Sequence, residues 1–170
     1  MKYCVKCGNE LILKENFNCG ISEGMIPFCE NCQEFQFPTF NVAVSMVVFN
    51  KKFSKILLIK QYGRDFNILV AGYVSKSENL ETALKRELKE EVSLNIIDYK
   101  FNESQYYEKS NTLICNFIVQ VDSEDFKLTN EVDSANWYDI KDAKLNVMKG
   151  SLAEYFLNIA LSKIHVLIWY

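Results

Sequence analysis

The chain has 170 residues, of which 49% are hydrophobic, 14% aromatic and 24% charged, an ordinary globular composition that excludes a disordered or coiled-coil protein. This length accommodates one domain with a proper core and a small appendage. Nineteen basic and 22 acidic residues give a net charge of −3, which provides no overall attraction for nucleic acid or for an anionic membrane.

The first residues, Met1-Lys2-Tyr3, offer no apolar signal region. The longest apolar stretch, residues 42–49, is far shorter than the ~20 residues that cross a bilayer. We therefore predict a cytoplasmic protein that does not interact with membranes. In that reducing compartment, paired cysteines favour metal ligation over disulfides.

Two Cys-x-x-Cys pairs stand near the start of the chain. Cys4 and Cys7 form the first pair, and Cys29 and Cys32 form the second, with residues 8–28 between them. This doubled spacing is typical of a zinc site in which four thiolates close a tetrahedral coordination sphere, so the ion is structural. We predict a zinc ribbon over residues 1–36, and four unrelated buried thiols are the alternative.

Two further cysteines stand outside these pairs. Cys19 and Cys115 are expected to be small apolar fillers, although Cys19 can in principle replace a ligand. The ribbon carries more acidic than basic residues, which argues against a surface that binds phosphate.

The main domain is predicted to span residues 37–170. Apolar, β-branched runs predict strands at residues 42–49, 55–60, 68–70, 95–101 and 112–121. Helices are predicted at residues 79–92 and 151–164. Strands that alternate with few helices favour an α/β layer architecture.

The first predicted helix has the clearest pattern. Asn79 is suited to cap its amino terminus, and an apolar stripe recurs every four residues at Leu80, Leu84, Leu88 and Val92. Beside that stripe, Glu87, Glu90 and Glu91 have the spacing i, i+3 and i+4, which places three carboxylates on one helix face.

Three neighbouring carboxylates repel one another, which lowers the stability of the helix. A hard divalent cation bound between them would replace this repulsion with attraction. Mg²⁺ and Mn²⁺ prefer oxygen ligands and share them with waters and substrate phosphates. From spacing alone, the alternative is a solvated acidic face balanced by Lys85, Arg86 and Lys89.

A longer motif surrounds these carboxylates: Gly72-x5-Glu78-x7-Arg86-Glu87-Leu88-Lys89-Glu90-Glu91-Val92-Ser93-Leu94. It resembles the Nudix box. The resemblance implies an α/β/α sandwich with a mixed sheet, and a hydrolase that cleaves a nucleoside diphosphate linked to another moiety with Mg²⁺ or Mn²⁺. It also implies metal-binding and general-base roles for Glu87, Glu90 and Glu91, and orienting roles for Arg86 and Glu78.

Two departures from the box concern backbone conformation. Ser93 replaces the glycine that usually ends the helix, and a left-handed conformation there costs a non-glycine residue about 1 kcal/mol. Residues 75–77 replace a loop that usually contains proline and glycine. Neither change removes an implied metal ligand.

A double Cys-x-x-Cys ribbon before a Nudix box resembles the NADH pyrophosphatase family, which also removes NAD caps from RNA. Phe37-Pro38, Ala135-Asn136-Trp137 and Gly150-Ser151-Leu152-Ala153 match its motifs by position. The resemblance implies an additional metal-binding role for Glu131, cleavage of a dinucleotide such as NAD(H), and a homodimer.

The substrate signature of that family is Ser-Gln-Pro-Trp-Pro-Phe-Pro-x-Ser, and the matching segment here reads Ser-Gln-Tyr-Tyr-Glu-Lys-Ser-Asn-Thr, residues 104–112. Gln105 and Tyr107 are therefore the candidate substrate contacts. Because all three prolines are absent, we expect a mobile loop and a less preformed pocket.

Alternatives to the dinucleotide remain open. They are a Nudix hydrolase of ADP-ribose, another nucleoside diphosphate derivative or a nucleoside triphosphate, and a non-catalytic Nudix module that binds a nucleotide. His165 is the only histidine and lies in an apolar segment, so we expect it to be packed rather than catalytic.

Overall fold

The computed structural model describes the backbone of residues 1–167 and the side chains of residues 1–164. The chain forms two compact units, Met1–Phe40 and a second that begins at Asn41, whereas the sequence suggested a boundary after residue 36. The side chain of His165 lies outside the described residues. Among the described helices, none combines the length and the apolar character that a membrane crossing requires.

The first unit is a three-stranded antiparallel sheet in the order β1 (Ile12–Asn18), β2 (Ile21–Cys29) and β3 (Glu34–Phe35). Its buried hydrophobic side chains are Cys4, Phe28 and Cys29. So small a core provides little hydrophobic stabilisation, and a unit of this kind needs another source of stability. None of these strands was predicted from the sequence, because polar residues interrupt their apolar alternation.

The second unit is built on a mixed sheet. Its strands are β4 (Asn41–Phe49), β5 (Lys55–Lys60), β6 (Val70–Tyr73), β7 (Ile96–Tyr107), β8 (Thr112–Val121) and β9 (Ser134–Asp139). The strand order is β7-β8-β4-β5-β9, and β6 pairs with β4. The β4–β8 pair is parallel and the others are antiparallel.

Three helices cover the two faces of this sheet: α1 (Leu80–Val92), α2 (Ile140–Asn146) and α3 (Leu152–Leu167). On one face, Val44 and Met46 pack with α1 residues such as Leu84 and Leu88. On the other, Val47 of β4 packs among buried residues of α2 and α3. This arrangement confirms the predicted α/β/α sandwich, and it explains the continuous apolar run of β4, which is buried on both faces.

Two predicted strands were wrong in extent. The run at residues 68–70 forms only a bridge from Ile68 to Ile59, and the strand lies at Val70–Tyr73. Strand β7 continues to Tyr107, where a 3₁₀ turn at Glu108–Ser110 leads into β8. Strand β9 and helix α2 were not predicted from the sequence.

The expected mobile loop is therefore a strand over much of its length. Gln105 pairs with Ile114, and Tyr107 pairs with Thr112. Proline cannot donate a backbone hydrogen bond to a ladder, so the absence of proline that suggested mobility is what permits this hairpin.

Candidate active site

Helix α1 positions the acidic cluster. Its first turn is capped by Asn79, whose Oδ1 accepts a hydrogen bond from the backbone N–H of Thr82 at 2.8 Å. Its last residue is followed by Ser93 in the left-handed conformation, with φ of 59°. Both features match the expectations from the sequence. Because the apolar stripe faces the core, Glu87 and Glu91 are buried beside it while Glu90 remains exposed.

Arg86 links the helix to the preceding loop. Its Nε and Nη2 donate to the two carboxylate oxygens of Glu78 at 2.8 Å each, and Nη2 also donates to the carbonyl oxygen of Tyr73 at 2.9 Å. The Arg86 hydrogen bond holds the pKa of Glu78 at about 2. The backbone N–H of Ser75 also donates to Glu78. This bidentate pair ties the loop that begins at Tyr73 to α1.

The same guanidinium faces two of the box carboxylates. Arg86 Nη1 lies 2.7 Å from Glu87 Oε1 and 2.9 Å from Glu90 Oε2. Burial raises the pKa of Glu87, and the Arg86 hydrogen bond opposes that shift. Arg86 thus offsets the mutual repulsion of two crowded carboxylates.

Gly72 on β6 is required by a close approach. A Cβ atom at this position would lie 1.9–2.1 Å from the carboxylate atoms of Glu87. Such a contact is impossible, and the Glu87 carboxylate fills the space that a side chain at residue 72 would occupy. This gives the first glycine of the motif a physical role in placing the carboxylate of Glu87.

Glu91 is the most unusual group of the cluster. Its residue is 2% exposed, Gln61 Nε2 donates to its Oε1 at 2.8 Å, and its Oε2 is buried without a hydrogen-bond partner. Burial raises the pKa of Glu91 to about 8, and the charges of Glu87 and Glu131 act in the same direction. A buried carboxylate oxygen without a hydrogen-bond partner is costly, and a bound cation would offset that cost.

Glu131 lies in a turn between β8 and β9, and its charge acts on Glu87 and Glu91. The backbone N–H of Asp133, two residues on, donates to the carbonyl oxygen of Lys60 at 2.9 Å, which anchors this turn beside β5. Together with Glu87, Glu90 and Glu91 it offers oxygen ligands, the donor type that Mg²⁺ and Mn²⁺ prefer. The donor set and the orphaned oxygen of Glu91 fit a divalent ion.

A cavity of about 770 Å³ opens on the face of the sheet that α3 covers. Gln105 and Tyr107, the candidate substrate contacts, both line it, as does Ala71. Ala71 directly precedes Gly72 on β6, and successive residues of a strand point to opposite faces. The cavity and the carboxylate cluster therefore lie on opposite faces of the sheet beside the same strand, and none of Glu87, Glu90, Glu91 and Glu131 lines the cavity. Gln105 Nε2 also donates to Tyr155 Oη at 2.9 Å.

The four paired cysteines converge in the first unit. Sγ atoms of Cys4, Cys7, Cys29 and Cys32 all lie within 4.8 Å of one another, with 3.9 Å between Cys4 and Cys32 and 3.5 Å between Cys7 and Cys29. Tetrahedral ligation at a Zn–S distance of about 2.3 Å requires sulfur atoms about 3.8 Å apart. This cluster can hold a metal ion.

The thiols in this cluster differ in acidity. A hydrogen bond with the backbone at Asn9 lowers the pKa of Cys7 to about 6, whereas a hydrogen bond with Cys7 raises that of Cys32 to about 12. Four thiolates in such proximity need a cation to neutralise them.

The two remaining cysteines lie apart from this group. Cys115 is buried in the α1 core, as expected for an apolar filler. The expectation for Cys19 was wrong, because Cys19 is exposed in the turn between β1 and β2 with φ of 49°. Turn geometry, rather than packing, determines its environment.

Sequence reasoning missed two contributors to the site. Gln61 follows β5 and holds Glu91, and the carbonyl oxygen of Tyr73 holds Arg86. Neither residue belongs to a periodic or charged pattern. The one available hint was a polar residue, Gln61, directly after a hydrophobic strand.

Comparison with known proteins identifies a family and a curated relative. A family model described as NUDIX domain matches residues 39–158. The NAD-capped RNA hydrolase NudC of Escherichia coli is 27% identical over 155 residues, covering 89% of this chain and 57% of that protein. The chain thus spans little more than half the length of this curated relative.

Solved structures share the fold. A NUDIX hydrolase from Nitrosomonas europaea superposes with a TM-score of 0.63 at 20% identity, over 92% of this chain and 88% of that one. The NUDIX domain of Shewanella oneidensis NrtR, solved with ADP ribose, gives a TM-score of 0.64 at 14% identity, over 75% of this chain and 90% of that one.

Proposed function

The chain belongs to the Nudix hydrolase family, and from this premise we propose that it cleaves a nucleoside diphosphate linked to another moiety, with a dinucleotide such as NAD(H) as the leading substrate. The observation that carries the proposal is the orphaned Oε2 of Glu91, buried beside Glu87 and near the charge of Glu131. A binding module with no catalytic metal would gain nothing from that arrangement.

In the proposed mechanism, Glu87, Glu90, Glu91 and Glu131 hold Mg²⁺ or Mn²⁺. When bound, the ion neutralises the diphosphate and makes a water molecule more acidic. A glutamate carboxylate of α1 would take a proton from the attacking water while the water oxygen forms a bond to phosphorus. The bridging P–O bond breaks, the bridging oxygen leaves with the second phosphoryl group, and two monophosphates result.

The residues around the carboxylates keep them in place. Arg86 neutralises part of their charge, Gly72 leaves room for Glu87, and Gln61 orients Glu91 through its Oε1. This preorganisation leaves the Oε2 of Glu91 available to the ion.

The cavity supports a dinucleotide-sized substrate. A volume of about 770 Å³ suits a group larger than a single phosphate, and Gln105 and Tyr107 provide one polar and one aromatic contact. The similarity to an NAD-capped RNA hydrolase favours NAD(H), and NAD-capped RNA is a further candidate.

For the first unit we propose one structural Zn²⁺, bound by Cys4, Cys7, Cys29 and Cys32. The support is a donor set of four thiols with sulfur separations near those of tetrahedral ligation. Thiolate ligands need a reducing compartment, so we place the protein in the cytoplasm. A homodimer remains part of the proposal through the resemblance to its relatives.

A substrate panel tests the proposal. NADH, NAD, ADP-ribose and a nucleoside triphosphate are each incubated with Mg²⁺ or Mn²⁺, and kcat/KM is measured. We expect the kcat/KM values for NADH, NAD and ADP-ribose to lie within about a hundredfold of one another, which corresponds to ~2.7 kcal/mol of transition-state binding. A thousandfold preference for the triphosphate would exclude the dinucleotide class, and no hydrolysis of any compound would favour a nucleotide-binding module.

A further inference from the structure

Three buried polar side chains lie side by side on the α3 face of the sheet. Asn102, Asn116 and Ser45 come from the adjacent strands β7, β8 and β4, and Asn116 is the register partner of Ser45. Their exposed fractions are 2%, 0% and 6%. A row of buried polar groups in an otherwise apolar layer is costly unless its hydrogen bonds serve a purpose.

The hydrogen bonds in this row run in one direction. Asn102 Nδ2 donates to the carbonyl oxygen of Phe156 and to Oδ1 of Asn116, both at 2.9 Å, and Asn116 Nδ2 donates to Oγ of Ser45 at 3.0 Å. A backbone carbonyl can only accept, so Phe156 fixes the orientation of the Asn102 amide and, through it, that of Asn116.

The row ends at the cavity. Ser45 lines the cavity, and its oxygen already accepts from Asn116, which leaves the hydroxyl hydrogen to be donated. Among residues 1–164, no protein acceptor takes this hydrogen. The geometry thus makes Ser45 a hydrogen-bond donor towards whatever occupies the cavity.

Charge is distributed unevenly around the cavity. Two cationic residues that line it, Arg64 and Lys109, are exposed and can meet phosphate groups. Around Ser45, the lining residues Ala43, Leu69 and Ile114 are apolar. A charged group beside them would lose its hydration without a counter-ion, so the acceptor that suits Ser45 is uncharged.

We propose that Ser45 selects substrates by donating a hydrogen bond to an uncharged carbonyl on the group attached to the diphosphate, with Asn116 and Asn102 as positioning residues. The inference rests on the function proposed above for the same site. The carbonyl can belong to a carboxamide on a pyridine ring or to a keto nucleobase such as uracil. Adenine carries none.

The test compares kcat/KM for NAD, UDP-glucose and ADP-ribose in the wild type, Ser45→Ala and Asn116→Leu. We expect Ser45→Ala to lower kcat/KM about tenfold, the equivalent of ~1.4 kcal/mol, for the substrate whose carbonyl accepts the hydrogen bond from Ser45. ADP-ribose should change less than twofold. A lower kcat/KM for NAD would identify the carboxamide as the acceptor, and a lower kcat/KM for UDP-glucose would identify the nucleobase carbonyl. Asn116→Leu should show the same selectivity at about threefold, because Ser45 then loses its orientation.

Asn50→Ala is the matched control. Asn50 is 1% exposed and accepts from the backbone N–H groups of Ser54 and Lys55 at the β4–β5 turn, and it does not line the cavity. This variant should lose stability without changing the ratio of kcat/KM between substrates. Equal losses on all three substrates in Ser45→Ala, or no loss on any, would overturn the role of Ser45.

Failure of the proposed function gives a different result. If the wild type hydrolyses none of the three compounds, the hydrolase assignment falls, and calorimetric binding of NAD, UDP-glucose and ADP-ribose in chelator tests Ser45 alone. Weaker binding of NAD or UDP-glucose by about tenfold in Ser45→Ala, with ADP-ribose unchanged, would still support the donor role. Unchanged binding of all three would refute it.

Discussion

The protein contains two clusters of anionic ligands that are organised in opposite ways. In the first unit, four cysteine sulfurs lie within 4.8 Å of one another. In the second, the carboxylates are held by two different side chains: Arg86 contacts Glu87 and Glu90, and Gln61 contacts Glu91. Among the side chains described, no three carboxylates approach as closely as the cysteines do.

On the metal assignments proposed above, this difference separates a closed metal site from an open one. Four thiolates complete a tetrahedral sphere, so the protein leaves no position for a reacting molecule. Carboxylates that are shared with an arginine and an amide leave coordination positions for water and phosphate oxygens. The same contrast predicts that damage to the cysteines should affect folding and that damage to the glutamates should affect turnover.

The largest expected effect is on catalysis. Glu90→Gln and Glu91→Gln should each lower kcat about 10³-fold while the fold persists, because the amide keeps the size of the side chain but loses its charge and basicity. Glu81→Gln is the matched control, since Glu81 is an exposed acid in the first turn of α1. Steady-state kinetics and circular dichroism measure both. Near wild-type turnover in both box variants would contradict the open-site interpretation.

Loss of the closed site should appear as unfolding of the first unit. Cys29→Ser should reduce bound zinc from about one ion per chain to less than a tenth, because three thiolates no longer close the sphere. The residues Met1–Phe40 should then exchange their amide hydrogens rapidly. Cys19→Ser, which changes an exposed cysteine outside the cluster, should keep its zinc. Elemental analysis and hydrogen exchange measure the two outcomes, and full zinc in Cys29→Ser would exclude the assignment.

An intermediate effect is expected where the backbone approaches the open site. Gly72→Ala should lower kcat about 10- to 100-fold, because its Cβ would lie 1.9–2.1 Å from the Glu87 carboxylate and must displace it. Gly20→Ala is the control: Gly20 has φ of +81° and open space around it, so alanine there adds strain without a clash. Unchanged turnover in Gly72→Ala would show that Glu87 is free to move without loss of function.

The stability of the second unit is expected to depend on pH through a buried carboxylate. Burial raises the pKa of Glu91 to about 8, with Glu87 and Glu131 acting alongside burial and Gln61 opposing it. Because the folded protein binds this proton more tightly than the unfolded chain, stability is highest below the ordinary glutamate pKa and declines as the pH rises to about 8. In the presence of a chelator, we expect the free energy of unfolding to fall by roughly 1–3 kcal/mol over this range. Thermal denaturation at a series of pH values measures this change. Glu91→Gln should flatten the profile, and an equally steep profile in that variant would assign the effect to another group.

The parts of the fold and of the candidate site that could be predicted from the sequence are those with a short-range pattern. The cysteine spacing, the apolar stripe of α1, and the Asn79 cap are local, and the structure contains all three. The α/β layer architecture followed from strand runs such as residues 42–49 that alternate with few helices, and the sandwich was implied by the resemblance of the motif around α1.

What remained hidden depends on contacts between distant segments. The glycine of β6 lowers the apparent strand propensity, yet the position of Glu87 requires it. Pairing with β8 extends β7 to Tyr107 although its sequence is polar. Ser45, Asn116 and Asn102 lie on three different strands, and only the sheet brings them together. Local patterns do not report such pairings.

The smallest expected effect tests whether the end of α1 is independent of the carboxylates on its face. Ser93 adopts φ of 59°, and its backbone N–H donates to the carbonyl oxygen of Lys89 at 3.1 Å. Ser93→Gly removes the Cβ strain of about 1 kcal/mol but gives the unfolded chain more freedom. The net gain should be about 0.5 kcal/mol, with kcat unchanged. Ser93→Ala, which keeps the Cβ, should show no gain. Urea denaturation measures the stability, and a change in kcat for Ser93→Gly would mean that the helix end and the metal site are coupled.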